Sequence, residues 1–184
     1  PDGRALLTSG TNGVCRWPIA RSADHSELRL GPPAILEPTR GQLVNYFELS
    51  RDGQWMVAAT EKTFLGFDPE KSVEAIRADA RIQPGQRPHL SPDGRLAASD
   101  AGSKAARIQI WNPRTGLLLT NLPARQVQDA AFSPDGRWLA CAAGDATTFW
   151  RTEDWSPRHR IPHALDASAH HRVAFSPDGR VAAL

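Results

Sequence analysis

Three sets of side chains in this 184-residue chain have types and spacings that invite a chemical reading. The first is a group of histidines, His159, His163, His170 and His171. Imidazoles are ready ligands for a transition metal, but as a set of four their spacing matches no knuckle or compact helical arrangement. They are assigned to a loop and an outer strand, and no metal is expected. The second set is Asp2, Asp52, Asp93, Asp135 and Asp178, each followed at once by glycine. A ring of carboxylates would suit a hard cation, yet an Asp-Gly step is first of all turn chemistry. The third set is Arg40, Arg87, Arg125 and Arg172, one in each connection between repeats. A planar guanidinium makes several directed hydrogen bonds and suits an interface anchor. The competing assignment is solvated loop charge in an arginine-rich chain.

Catalytic signatures are missing from the sequence. It has no G-x-S-x-G elbow, no H-E-x-x-H, no phosphate loop ending in Gly-Lys-Ser/Thr and no glycine-rich dinucleotide fingerprint. No catalytic residue and no cofactor are therefore assigned. The formal charge is +2, with both signs interspersed, whereas a nucleic-acid reader needs a continuous basic stripe with stacking aromatics. No apolar run approaches the roughly 18 residues of a membrane span. Cys15 and Cys141 lie too far apart in sequence for a metal knuckle and read as two small buried hydrophobes.

The elements that position these residues follow from a repeat. "AFSPDGR" occurs at 131–137 and again at 174–180, with "LSPDGR" at 90–95, "LSRDGQ" at 49–54 and "PDGR" at the start. The marker aspartates are 50, 41, 42 and 43 residues apart. Periods of about 40–45 with four strands each signal propeller blades, whereas helical solenoids would need long amphipathic helices that are not here. In Ser-Pro-Asp-Gly, proline presets the first corner and glycine (Gly3, Gly53, Gly94, Gly136, Gly179) takes positive φ. Apolar strands flank the turn, and the second of each pair is rich in alanine, as close packing near an axis requires. A large aromatic then closes a third strand: Trp17, Phe67, Trp111 and Trp150. A fourth strand follows, clearest in "LLLTNL" at 117–122, weaker in "RHRIPH" at 158–163, and read as strand rather than helix in "SVEAIRAD" at 72–79.

"FSPDGR" between two strands, an aromatic ending the third, and "WNPRTG" at 111–116 resemble the WD-repeat family of β-propellers. Tryptophan at that position favours this family over periplasmic propellers of the Tol type. The Trp-Asp pair is altered throughout, reading Trp17-Pro18, Phe67-Asp68, Trp111-Asn112 and Trp150-Arg151. The family's Gly-His step is missing, with His163 and His170 near that region in one repeat. Asp145 resembles the buried aspartate of the family's hydrogen-bonded network.

The expected fold is all-β: a propeller of about four blades, each of four antiparallel strands, with periods near 2–51, 52–92, 93–134 and 135–177 and a further one begun at 178–184. The chain opens at a turn and stops inside a second strand, which predicts a segment of a larger propeller or a partial ring able to self-associate through bare end faces. The resemblance implies a non-catalytic interaction scaffold or sensor module, docking a protein or peptide on the narrow face that carries the four arginines. It further implies a bacterial signalling setting, with a catalytic domain such as a serine/threonine kinase elsewhere in the same polypeptide; the expected compartment is cytoplasmic, with an extracytoplasmic one as the alternative. The alternative is a propeller enzyme or the cap domain of a hydrolase, which would show converging carboxylate or histidine side chains with perturbed pKa values.

Overall fold

The computed structural model describes residues 3–22, 27–71, 74–78, 86–101, 106–163 and 171–184. Asp2 and His170 lie outside these residues, as do positions 72, 73 and 79 of the fourth strand expected over 72–79. Alternating apolar patterning and frequent turn residues give strands throughout, and among the described residues the one helical turn is of 3-10 type, Glu37–Thr39.

The strands form successive antiparallel meanders. The first sheet has β1 (Ala5–Gly10) and β2 (Gly13–Arg21), with an outer edge split into β3 (Leu28–Leu30) and β4 (Ala34–Ile35). Gly31, Pro32 and Pro33 interrupt that edge, and both pieces pair with β2. The second sheet is β5 (Val44–Leu49), β6 (Met56–Thr60), β7 (Phe64–Phe67) and β8 (Ile76–Arg77). The third is β9 (Pro88–Leu90), β10 (Ala97–Asp100), β11 (Arg107–Trp111) and β12 (Leu118–Pro123). The fourth is β13 (Asp129–Phe132), β14 (Trp138–Ala142), β15 (Ala146–Arg151) and β16 (Pro157–Pro162). The pair β17 (Ala174–Phe175) and β18 (Ala182–Ala183) begins the same pattern again. The stretches at 76–77 and 118–122 are thus strand, as their place in the repeat requires, with Leu117 just ahead of β12.

Each core cluster lies between two consecutive sheets, which is what makes the stack a propeller. Val14, Met56, Ala58, Leu65 and Phe67 join the first sheet to the second. Val57, Ala59, Phe64, Ala97 and Trp111 join the second to the third. Ala98, Ile108, Ile110, Leu139, Cys141 and Trp150 join the third to the fourth. Alternate residues of β6 therefore face opposite neighbours, and all five are buried. The alanines of β6, β10 and β14 occupy these doubly covered positions, so their repetition reflects packing space rather than strand propensity. The innermost strands β5, β9, β13 and β17 run side by side at the hub.

Phe67, Trp111 and Trp150, at or next to the ends of their strands, fill the space between blades, whereas Trp17, expected to close its strand, lies in the middle of β2 and outside these clusters. Trp111 is fully buried and stacks on Phe64 of the preceding sheet with centroids 5.4 Å apart. Trp17, in the first sheet, is half-buried and donates its indole N–H to Thr8 Oγ1 at 3.0 Å. Glycine is required where two sheets touch through backbone: a Cβ on Gly66 would lie 2.1 Å from the Pro113 carbonyl oxygen. The cysteines divide. Cys141 is buried, as expected, but Cys15 is only half-buried: its neighbour Val14 packs on the second sheet, so Cys15 faces the other side of the strand.

Candidate functional site

The meanders give the molecule two ends with different chemistry. At one end, the turns after the first strands meet the turns after the third strands. Each Ser-x-Asp-Gly turn repeats one hydrogen-bond set. Ser133 donates its hydroxyl to Asp135 Oδ1 (2.5 Å), the Arg137 N–H donates to that same oxygen (3.0 Å), and the Trp138 N–H donates to Ser133 Oγ (3.0 Å). Ser50–Asp52, Ser91–Asp93 and Ser176–Asp178 repeat it. Gly53, Gly94, Gly136 and Gly179 adopt φ of 72°, 66°, 71° and 71° as the turn demands. The serine hydroxyl bonds hold Asp52, Asp135 and Asp178 below the usual carboxylate range. An oxygen already taking two donors is turn scaffolding. Asp52, Asp93 and Asp135 do line a shallow cavity of about 400 Å³ at this end, together with Pro92 and Pro134.

At the other end, connections between blades lie against the second-to-third-strand turns. The Ala124 N–H donates to the Ala106 carbonyl, Gly144 to Arg125 and His163 to Asp145, at 3.1, 3.3 and 3.0 Å. These backbone bonds fix the loops to the sheets. The four candidate arginines all belong to connections at this end but are not brought into one cluster. Arg40 is tied to Glu37 within the 3-10 turn, with Nε to Oε2 at 2.8 Å and Nη2 to Oε1 at 2.5 Å. Arg87 lies over the ring of Tyr46, 4.6 Å from its centroid. Arg125 and Arg172 are exposed. A cavity of about 350 Å³ opens beside Arg125, between the third and fourth sheets, and also holds Asp145 and Arg160.

Asp145 corrects the sequence reading. Its side chain is 61% exposed and pairs with Arg160 Nη2 at 2.5 Å, because the tight turn before β15 directs it outward. In this blade the buried Thr147 Oγ1 meets instead the partly buried His163 Nε2, 2.8 Å away. The His163 ring also stacks on His171, with centroids 3.7 Å apart. His159 lies on exposed β16 near Trp138, with ring centroids 6.1 Å apart. Among the described residues no three of His, Cys, Asp and Glu are placed to hold a metal ion.

The hub carries a polar set that motif reading missed. Glu48 on β5 accepts the Leu90 N–H of the next sheet at 2.6 Å, and Asp129 on β13 accepts the Val173 N–H at 3.1 Å. His89 Nε2 stands 3.9 Å from Asp129 Oδ1, both side chains being largely buried. Burial pushes the Glu48 carboxyl up to about 7, against the pull of the Leu90 N–H and with a further push from Asp129. Burial pushes His89 down to about 4, against the attraction of Asp129. Burial also pushes the Cys141 thiol up to about 12, so it is not a nucleophile at neutral pH. The signal for this set was a charged or ionisable residue inside an otherwise apolar inner strand, as in "VNYFELS", "RPHLS" and "VQDAAFS". Perturbed groups of this kind mark either chemistry or structure. Here both carboxylates are committed to backbone donors of a neighbouring sheet, and none of the three residues lines the cavities described above or the one between the first and second sheets.

Comparison with known proteins agrees with the geometry. The family model described as "WD domain, G-beta repeat" matches residues 116–149, from the approach to β12 into β15. The chain is 32% identical over 100 residues to the small ribosomal subunit protein RACK1 of Caenorhabditis elegans. That match covers 50% of this chain and 30% of that protein, so the chain corresponds to under a third of the relative's length. Kuenenia stuttgartiensis hydrazine synthase is similar in fold, with a TM-score of 0.61 at 16% identity over 74% of this chain and 40% of that one.

Proposed function

We propose that this chain, which is similar to WD-repeat propellers over the residues matched, works as a non-catalytic protein-interaction scaffold that docks its partner on the end formed by the inter-blade connections. One observation carries this reading. The loops of that end are held to the sheets by backbone hydrogen bonds while Arg125 and Arg160 remain exposed above them. A surface ordered before binding loses little conformational entropy on association, and arginine is a frequent anchor of such contacts. A place in a bacterial signalling protein, in the cytoplasm and beside a catalytic domain such as a kinase, is the setting this proposal favours.

The convergence of Glu48, His89 and Asp129 is the observation in favour of an enzyme. Its force is reduced by what the carboxylates do: each bridges two blades through a backbone N–H. Affinity capture with the wild-type chain and an Arg87→Glu/Arg125→Glu double variant tests the scaffold reading. The double variant should lose the proteins that the wild type retains, and equal recovery would count against this end as the docking surface.

A further inference from the structure

The cavity beside Arg125 has the chemistry to recognise one kind of side chain. Its two walls come from different blades. On the fourth sheet, Cys141 pairs in register with Thr148 and Thr148 with Arg160, so these three side chains form one row across β14, β15 and β16. Directly opposed residues of antiparallel strands point to the same face, and Cys141 places that face toward the third sheet. The opposite wall is Ala106, Pro123 and Ala124, from the third sheet and the connection that leaves it. The cavity thus offers an apolar surface of small side chains beside guanidinium groups and a hydroxyl.

The backbone around it is held in an unusual state. Ala106 and Gln126 have φ of 49° and 52°, two of three non-glycine residues in the left-handed region among those described. Such conformations persist only where the surroundings enforce them. The Gln126 side chain lies against Gly144, where a Cβ would stand 2.6 Å from its Oε1. The Arg125 backbone is held to the rim by the Gly144 N–H, which donates to its carbonyl at 3.3 Å.

Charge selects the ligand. Arg125 makes no ion pair among the described residues, while Arg160 uses one donor on Asp145 out of the five N–H groups of a guanidinium. Two guanidinium groups and one carboxylate leave the cavity with a surplus of one positive charge, which suits a monoanion. A phosphate dianion would exceed that surplus and meet about twice the repulsion from Asp145 that a monoanion meets. A free chain terminus would bring its polar backbone against the alanine and proline wall without hydrogen-bond partners there. A glutamate or aspartate side chain brings methylene groups to that wall and its carboxylate to the arginines.

Resting on the scaffold reading above, we infer that the cavity between the third and fourth blades is a subsite for an acidic side chain of the docked partner, with Arg125 and Arg160 holding its carboxylate and Ala106, Pro123 and Ala124 its stem. Amide chemical shifts of the 184-residue chain, titrated with the capped peptide acetyl-Ala-Ala-Glu-Ala-Ala-amide, test this. Saturable shifts are expected at Ala106, Ala124, Ala143 and Asp145. The glutamine counterpart should bind about tenfold more weakly or worse, as expected on losing a charge-assisted pair. Arg125→Gln and Arg160→Gln, both at exposed positions, should each weaken the glutamate peptide, while Arg137→Gln, exposed in a Ser-x-Asp-Gly turn at the opposite end, leaves it unchanged. Equal binding of both peptides, shifts confined to other surfaces, or tighter binding of a phosphoserine peptide would each overturn the assignment. Protein capture that is identical for wild type and Arg125→Gln but lost in Arg87→Glu/Arg125→Glu would overturn the subsite while leaving the docking end in place.

Discussion

Glu48 Oε2 accepts a 2.6 Å hydrogen bond from the N–H of Leu90, seating a carboxyl of one blade on the inner strand of the next. Burial raises that carboxyl from 4.5 to about 7 and lowers His89 from 6.5 to about 4. The folded state keeps a proton on Glu48 that the unfolded chain has released, so this contribution to stability falls as pH rises from 4.5 toward 7. The folded state lacks a proton on His89 that the unfolded chain holds, so that contribution falls as pH drops from 6.5 toward 4. Across the shared interval the two slopes oppose each other. Glu48→Gln should uncover the histidine alone. Its stability should climb with pH over that interval, by up to about 1.4 kcal/mol per pH unit relative to wild type. Urea unfolding across the pH range checks this, and parallel curves would remove Glu48 from the account.

Trp111 carries the junction between the second and third blades. Trp111→Ala should cost about 3–5 kcal/mol, because it opens a cavity against Phe64 that the doubly packed sheets cannot close. Trp111→Phe should cost clearly less. It keeps a ring on Phe64 and deletes an indole N–H that has no hydrogen-bond partner among the described residues. Denaturant midpoints of the two variants decide the order.

Gly116 and Gly136 separate two reasons for glycine. Both have positive φ, at 77° and 71°, so alanine strains either by about 1 kcal/mol. A Cβ on Gly116 would also lie 2.2 Å from the Arg77 carbonyl oxygen of the preceding blade, whereas nothing stands within 4 Å at Gly136. Gly116→Ala should therefore be the costlier by about 1–3 kcal/mol, read from thermal unfolding.

Ser133 is buried and serves its turn twice, donating to Asp135 and accepting from Trp138. Ser133→Ala leaves the Trp138 N–H without its acceptor and should cost about 1–3 kcal/mol. The same change at Ser176, whose turn is more exposed, should cost less because water can replace the hydroxyl. Hydrogen exchange of the Trp138 and Val181 amides, the two that donate to these serines, reports the difference.

The architecture was legible because it is spelled by local chemistry. A proline-led turn needs a left-handed glycine at the same place each time, and a ring at the end of the third strand needs a neighbouring blade to bury it. The polar network was less legible because it depends on where a turn aims its side chain. Asp145 sits in a sequence that resembles the family's buried aspartate, yet the turn before β15 turns it out to Arg160. The bridges of Glu48 and Asp129 join residues 42 and 44 apart, a relationship that appears only when inner strands lie side by side. The pocket beside Arg125 was hidden for the same reason, since Arg125 comes from one connection and Arg160 from an outer strand of the following blade.

Amide hydrogen exchange on the chain with and without its captured partner tests the central proposal most directly, because it reports the surface that becomes covered. Protection should rise at 123–126 and 143–145, with little change in the Ser-x-Asp-Gly turns at 50–53, 91–94 and 133–136. Protection gained at those turns, with the inter-blade connections exchanging as before, would contradict it.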